Sequence, residues 1–210
     1  PPGAMVIMDR GIATAANLAW LKDQGYRYLV VSRERERHFD ADAAMALMSA
    51  GEQTIQVVRE LSEDGQEVRL HCYSPGRALK ETGIMERFCT RFETGLTKLA
   101  QGLTTPRGEK RPDRLQERIG RLKSASRGAG QHYTVTLDTD TEGQVVTALR
   151  WEKAPVSGTM LTDPGVYCLR SNELTWDAEQ LWRTYMTLTD LEAVFRSLKG
   201  ELGLRPIFHS

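Results

Sequence analysis

The chain has 210 residues, with 28 Lys+Arg against 28 Asp+Glu and a formal net charge of zero, enough for one large domain or two small ones. Hydrophobic residues are 40% and charged ones 27%, and no stretch approaches the roughly 20 apolar residues of a membrane span, so a spanning protein is excluded and a soluble one expected. The opening PPGAMVIMDRG has no basic n-region or long apolar core and does not support secretion. Cys72, Cys89 and Cys168 are odd in number and far apart, which argues against a disulfide framework or zinc site and for a reducing cytoplasm.

In chain order, Val6-Ile7-Met8 reads as a buried strand that delivers Asp9 to its tip. Thr14 can cap a helix to about Gln24, and YRYLVVS (26–32) is a second strand; this is a βαβ unit whose strands should be parallel. Residues 40–50, rich in Ala and Met, read as a short helix. Thr54–Leu61 and Glu67–Tyr73, joined through Glu63-Asp64-Gly65, read as a hairpin. From Gly76 to Leu103 the period is helical, with Met85, Phe88, Phe92, Leu96, Leu99 and Leu103 on one face and Lys80, Arg87, Arg91 and Lys98 in a separate row. After a linker-like GLTTPRGEKRPD, a basic helix carries Arg111, Arg114, Arg118 and Arg121 at its start and along its length. Tyr133–Leu137 and Val145–Trp151 form a second hairpin, Val166–Leu169 another strand, and Trp176-Asp177 opens a long final helix.

Charge is unevenly distributed along this order. Residues 77–127 hold 13 Lys+Arg against 6 Asp+Glu, an excess of seven balanced by the rest of the chain. Such a stretch either tracks a polyanion or is a solvated helix face. In the final helix Tyr185, Glu192 and Lys199 recur every seven residues, nearly two turns, so they share a stripe, with Arg196 one turn past Glu192. Leu188, Leu191, Phe195, Leu198 and Leu202 are expected on a neighbouring buried stripe. Trp20, Trp151, Trp176 and Trp182 are expected in the core or on strand faces.

Two carboxylates stand out. Asp9 at a strand tip and Glu192 on a helix edge are hard oxygen donors of the type that hold paired divalent ions in phosphoryl transfer. Their ordinary roles are equally defined: Asp9 would cap the next helix, and Glu192 would be a surface residue. An aspartyl-phosphate phosphatase would need a second Asp two residues on, and Arg10-Gly11 supplies none.

Asp9-x-Gly after an apolar strand, with Tyr185, Glu192 and Lys199 in Y-x6-E-x6-K spacing, resembles the DDE transposases of bacterial insertion sequences, in particular the IS-four group with the signature Y-x2-R-x3-E-x6-K. Leu188 stands where that signature has arginine, so the contact is absent or moved to Arg196. MDRGIAT, ERIGRLK, GVYCLRSN and FRSLKGELGLRPIFH also look like this family, so the likeness runs from Asp9 to His209.

The resemblance implies an α/β fold: a partial RNase H-like core in residues 1–50, an inserted β-rich subdomain with basic helices in 51–165, and a return to the core with the catalytic helix in 166–210. It implies that Asp9 and Glu192 are the second and third catalytic acids and metal ligands, that two magnesium ions serve the intact enzyme, and that the first acid lies upstream of this chain. Tyr185, Arg196 and Lys199 would contact DNA near the cleaved end. Lys80, Arg87, Arg91, Lys98, Arg114, Arg118 and Arg121 would follow the phosphate backbone of transposon ends. The family acts as homo-oligomers in DNA transposition. A truncated, non-catalytic DNA-binding remnant is the alternative reading.

Overall fold

The computed structural model describes residues 3–33, 37–48 and 53–201, except for the side chains of Thr189, Arg196 and residues 199–201. It is a mixed α/β protein with four α-helices, a six-stranded mixed sheet and a two-stranded sheet among these residues. Contacts divide the chain into a sheet unit, 1–74 with 166–210, and an inserted unit, 75–165.

The sheet unit begins with β1 (Met5–Met8), α1 (Ala15–Asp23) and β2 (Arg27–Val31), and β1 and β2 pair in parallel as the βαβ reading requires. Thr14 is the N-cap: its Oγ1 accepts the Asn17 N–H at 3.2 Å, satisfying a donor that the first turn cannot pair internally. Alternation along β1 and β2 separates two cores. Val6, Met8, Tyr28 and Val30 meet Leu18 and Leu21 of α1, whereas Met5, Leu29 and Val31 join a cluster on the opposite face.

Beyond β2 the sheet continues antiparallel through β3 (Met45–Met48), β4 (Thr54–Leu61), β5 (Val68–Tyr73) and β8 (Val166–Ser171), in the order β1-β2-β8-β5-β4-β3. The hairpin expected over 54–73 is β4 and β5, and it is hydrogen-bonded into the main sheet. The compact-unit boundary therefore falls at Pro75, where the sequence reading opened the insertion at 51. The helix expected at 40–50 is a second difference: Met45–Met48 is an edge strand paired to β4, with Leu47 buried and Met45 and Met48 exposed. A segment this short gains little from helix propensity, and a ready ladder partner with one inward apolar side chain decides its state.

Helix α4 (Ala178–Glu201) lies on the sheet face opposite α1. Asp177 caps it, its Oδ1 accepting the Gln180 N–H at 2.7 Å. Ala178, Leu181 and Trp182 are buried against Leu29, Val57, Leu70 and Leu169, with Tyr185 and Met186 packed alongside. The stripe expected to continue that burial does not: Leu191 is 53% and Phe195 60% exposed, and Leu198 is also exposed. At 100° per residue these side chains lie about 150° around the helix from the anchored face, so the apolar face changes direction midway.

The inserted unit is built on α2 (Pro75–Leu103) and α3 (Pro112–Ala125), a 3-10 turn at Ala129–His132, and the hairpin β6 (Tyr133–Thr139) and β7 (Val146–Lys153). The expected face of α2 is its core face: Met85, Phe92, Leu96 and Leu103 are buried with Leu115, Ile119, Tyr133 and Leu149, and Phe88 and Leu99 pack beside them. Gly95 lets α3 come close, since a Cβ there would sit 2.7 Å from Leu122 Cδ2. Buried Glu81 joins the unit's ends, accepting from Arg77 Nε at 2.9 Å and from the Gly165 N–H at 2.8 Å. Burial holds the fully enclosed His132 below its usual pKa, and its Nδ1 accepts the Val156 N–H at 3.0 Å.

Among the described residues no helix is long and apolar enough to cross a membrane. Of the tryptophans, Trp182 is buried and Trp20 is 58% exposed, stacked on Tyr26. Cys72 and Cys89 are buried and Cys168 half-buried, all as free thiols.

Candidate functional site

Asp9 directly follows β1 and is exposed. It is not the cap of α1, a role that Thr14 fills; its Oδ1 accepts the adjacent Arg10 N–H at 2.7 Å, and its carbonyl accepts the Ile12 N–H. Strand parity continues from Met5 through Ile7 to Asp9, and Met5 belongs to the cluster under α4. Carried one residue past the strand, that alternation would put Asp9 on the α4 side of β1.

The anchors of α4 give it a direction. Arg27, at the start of β2, lies over the Trp176 ring at 5.7 Å, just before the helix. Trp182 Nε1 donates to the Tyr167 hydroxyl at 3.1 Å, and Tyr167 lies beyond the Val31–Leu169 pairing that ends β2. Helix α4 therefore advances in the sense of β1 and β2, toward the end at which Asp9 stands. Glu192 occupies the same angular stripe as Tyr185. Tyr185 packs partly against the sheet cluster, whereas Glu192, two turns on, is exposed. Arg196 and Lys199 follow on α4, but their side chains lie outside the described residues. Leu188, at the position of the signature arginine, is half-buried.

Among the described residues no group of three or more His, Cys, Asp and Glu side chains is arranged to hold a metal ion. The two carboxylates have the chemistry of a hard-cation site, being exposed oxygen donors not consumed by ion pairs among the described residues.

In the inserted unit, Lys80, Arg87, Arg91 and Lys98 are exposed along α2 in the expected row. Arg87 Nε donates to the Gly83 carbonyl at 3.2 Å. On α3 the charges are partly neutralised: Glu117 pairs with Arg114 at 3.4 Å and Arg121 at 2.5 Å, and Glu109 pairs with Arg111 at 3.3 Å. Lys98 and Arg118 instead line one cleft of about 400 Å³ together with Arg107 and Glu109. Arg107 was not singled out from the sequence, where it sits in a linker-like turn. Its neighbour Gly108 is the structural reason it reaches the cleft, because a Cβ there would fall 1.7 Å from the Gly102 carbonyl oxygen.

Polar burial in the sheet unit centres on two acids that sequence reading also missed. Glu67 Oε1 accepts from Lys22 Nζ at 2.8 Å and from the Tyr28 hydroxyl, while Oε2 accepts from Arg170 Nε and Nη2 at 2.8 and 2.6 Å. Burial alone would raise the Glu67 carboxyl, but these donors outweigh it and hold its pKa below the usual range. Burial and the Glu67 hydrogen bond push the Tyr28 phenol well up. Glu173 is held at about 2, first by the Thr175 hydroxyl and then by Arg27 at 2.7 Å.

Comparison with protein-family models, with curated proteins and with solved structures finds no match to this chain.

Proposed function

We propose that the chain is a catalytic segment of a DDE-type transposase with a partial RNase H-like core, acting on DNA phosphodiesters through Asp9 and Glu192. The observation that carries the reading is the relation of these two residues. Asp9 is released from helix capping and follows the α4 parity of β1, and α4 runs toward that end with Glu192 on the Tyr185 stripe. Magnesium-class ions, when bound, would neutralise charge developing on the attacked phosphate. The roles of this chain's residues are to hold such ions through Asp9 and Glu192 and to orient DNA through the basic cleft of the inserted unit, with Arg196 and Lys199 contacting phosphate near the cleaved end. The reaction class is hydrolysis that frees a 3′-hydroxyl, followed by attack of that hydroxyl on a target phosphodiester.

Two carboxylates are one fewer than this chemistry takes, so the chain by itself is expected to bind divalent ions weakly and to leave DNA uncut. The test is manganese titration followed by paramagnetic broadening of amide signals. Amides around Asp9 and Glu192 should broaden together, and Asp9→Ala or Glu192→Gln should abolish both effects. Broadening at one site that survives substitution of the other would overturn the reading. Magnesium-dependent nicking by the purified chain, lost in Asp9→Ala, would overturn the expected silence.

The cleft of Lys98, Arg107 and Arg118 also supports a second reading, a non-catalytic DNA-binding remnant. Salt-sensitive DNA binding without a shared manganese site would favour it.

A further inference from the structure

Helix α2, the turn after it and helix α3 enclose a cleft of about 400 Å³, and each of these segments contributes one cation to it, Lys98, Arg107 and Arg118 respectively. All three are exposed, and none has an ion pair or side-chain hydrogen bond among the described residues. The carboxylate of the wall, Glu109, is engaged elsewhere: its Oε1 accepts the Arg111 N–H at 3.2 Å and Arg111 Nε at 3.3 Å. Those bonds hold its carboxyl below the usual range. Farther along α3, Glu117 pairs with Arg114 and Arg121, so the cleft keeps its cations where the neighbouring ones are neutralised. Gly102 also lines the cleft, in the last turn of α2, where glycine is a poor helix former. A Cβ there would meet nothing within 4 Å, so packing does not demand this glycine; its missing side chain leaves bare backbone at the cleft wall.

The cleft differs in kind from the row on α2. Lys80, Arg87 and Arg91 are spaced along one helix, which suits successive phosphodiesters carrying one charge each. Three cations converging from three segments suit a group with close to two charges on one phosphorus, as a phosphomonoester has near neutral pH. We propose that this cleft seats a phosphomonoester, held by Lys98, Arg107 and Arg118. Leu99 and the buried Leu115 give its wall an apolar part against which the attached sugar can rest. The inference rests on the reading of the cleft as a DNA contact, in which the monoester is the terminal phosphate of a strand; a free mononucleotide offers the same group.

The test compares two duplexes, identical except for a 5′-phosphate or a 5′-hydroxyl end, by fluorescence anisotropy with the full chain at constant ionic strength. The phosphorylated duplex should bind about five-fold more tightly, the gain of one charge-assisted contact. That preference should fade as pH drops through about 6, where the monoester takes up a proton. Arg107→Gln and Arg118→Gln should each shrink the preference, and Gly102→Glu, whose Cβ meets no atom of the fold, should remove it. Arg91→Gln should weaken both duplexes alike and leave the preference intact. A mononucleotide that competes better than the phosphorylated duplex would assign the free nucleotide as the source of the group, and one that competes worse would assign the strand end. Equal binding of the two duplexes, or a preference that survives both Arg107→Gln and Gly102→Glu, would overturn the inference while leaving the DNA reading in place. Binding of neither duplex would overturn both.

Discussion

The sheet unit and the inserted unit both bury carboxylates, Glu67 and Glu173 in the one and Glu81 in the other, but the inserted unit also encloses a histidine completely. The sheet unit encloses the carboxylates Glu67, with donors from three segments, and Glu173, with donors from two. The inserted unit encloses His132, held below its usual pKa, and Tyr133, whose phenol is pushed up by burial and by Glu93. Both solutions satisfy the rule that a buried polar group must be partnered. They fail differently, because ionised acids lose their partners only in strong acid, whereas a neutral histidine is threatened as soon as its ring can take a proton.

The sharpest way to break this contrast is Glu67→Ala. It leaves Lys22, Tyr28 and Arg170 without their common acceptor and should destabilise the sheet unit by about 3 kcal/mol in denaturant unfolding. A loss near zero would mean that the network is ornamental. Acid titration comes next. A carboxyl whose folded pKa lies below its unfolded value contributes stability above the unfolded value and loses it as pH falls through the folded one. Glu173, lowered from 4.5 to about 2, should therefore support the sheet unit near neutrality by on the order of 2 kcal/mol, lost as pH falls from 4.5 toward 2. Glu173→Gln should flatten that part of the profile.

His132 has a depressed pKa of the opposite charge type, so the inserted unit should weaken as pH falls below the ordinary 6.5 of histidine. Amide exchange in β6 and β7 should accelerate there. The smallest expected effect concerns the basic cleft. Arg107→Gln and Arg118→Gln should each lower the salt slope of DNA binding by about one, with little change in stability, whereas Arg121→Gln, already paired to Glu117, should change it less.

What could be read from the sequence follows the range of the interactions involved. The β1–α1–β2 unit, both hairpins and the core face of α2 rest on local period, caps and turns, and each is legible in a window of some 30 residues. The insertion of β8 between β2 and β5 is not, because it joins residues 166–171 to segments about a hundred and more positions away. The Glu67 network escapes for the same reason: its partners stand 45, 39 and 103 residues away. Met45–Met48 misleads because Ala and Met favour helix while a neighbouring ladder favours strand. In α4 the seven-residue spacing is visible, but the change of apolar face after Met186 depends on where the sheet stops covering the helix. Of the basic residues, Lys98 and Arg118 were visible as helical rows; Arg107 depends on a glycine turn whose fold-back no composition announces.

Tyr73 and Val166 stand opposite each other in neighbouring strands, although 92 residues separate them in the chain. Everything between Pro75 and Gly165 leaves and returns through one rung of the ladder, with Glu81 latched to Gly165 at the doorway. The larger fold is therefore interrupted in sequence between two paired strands, and a two-residue Asn-Gly connection should bridge β5 to β8 as an ordinary hairpin. Such a shortened protein should still melt cooperatively, and evolution could exchange this cassette for another without redesigning the sheet that carries it.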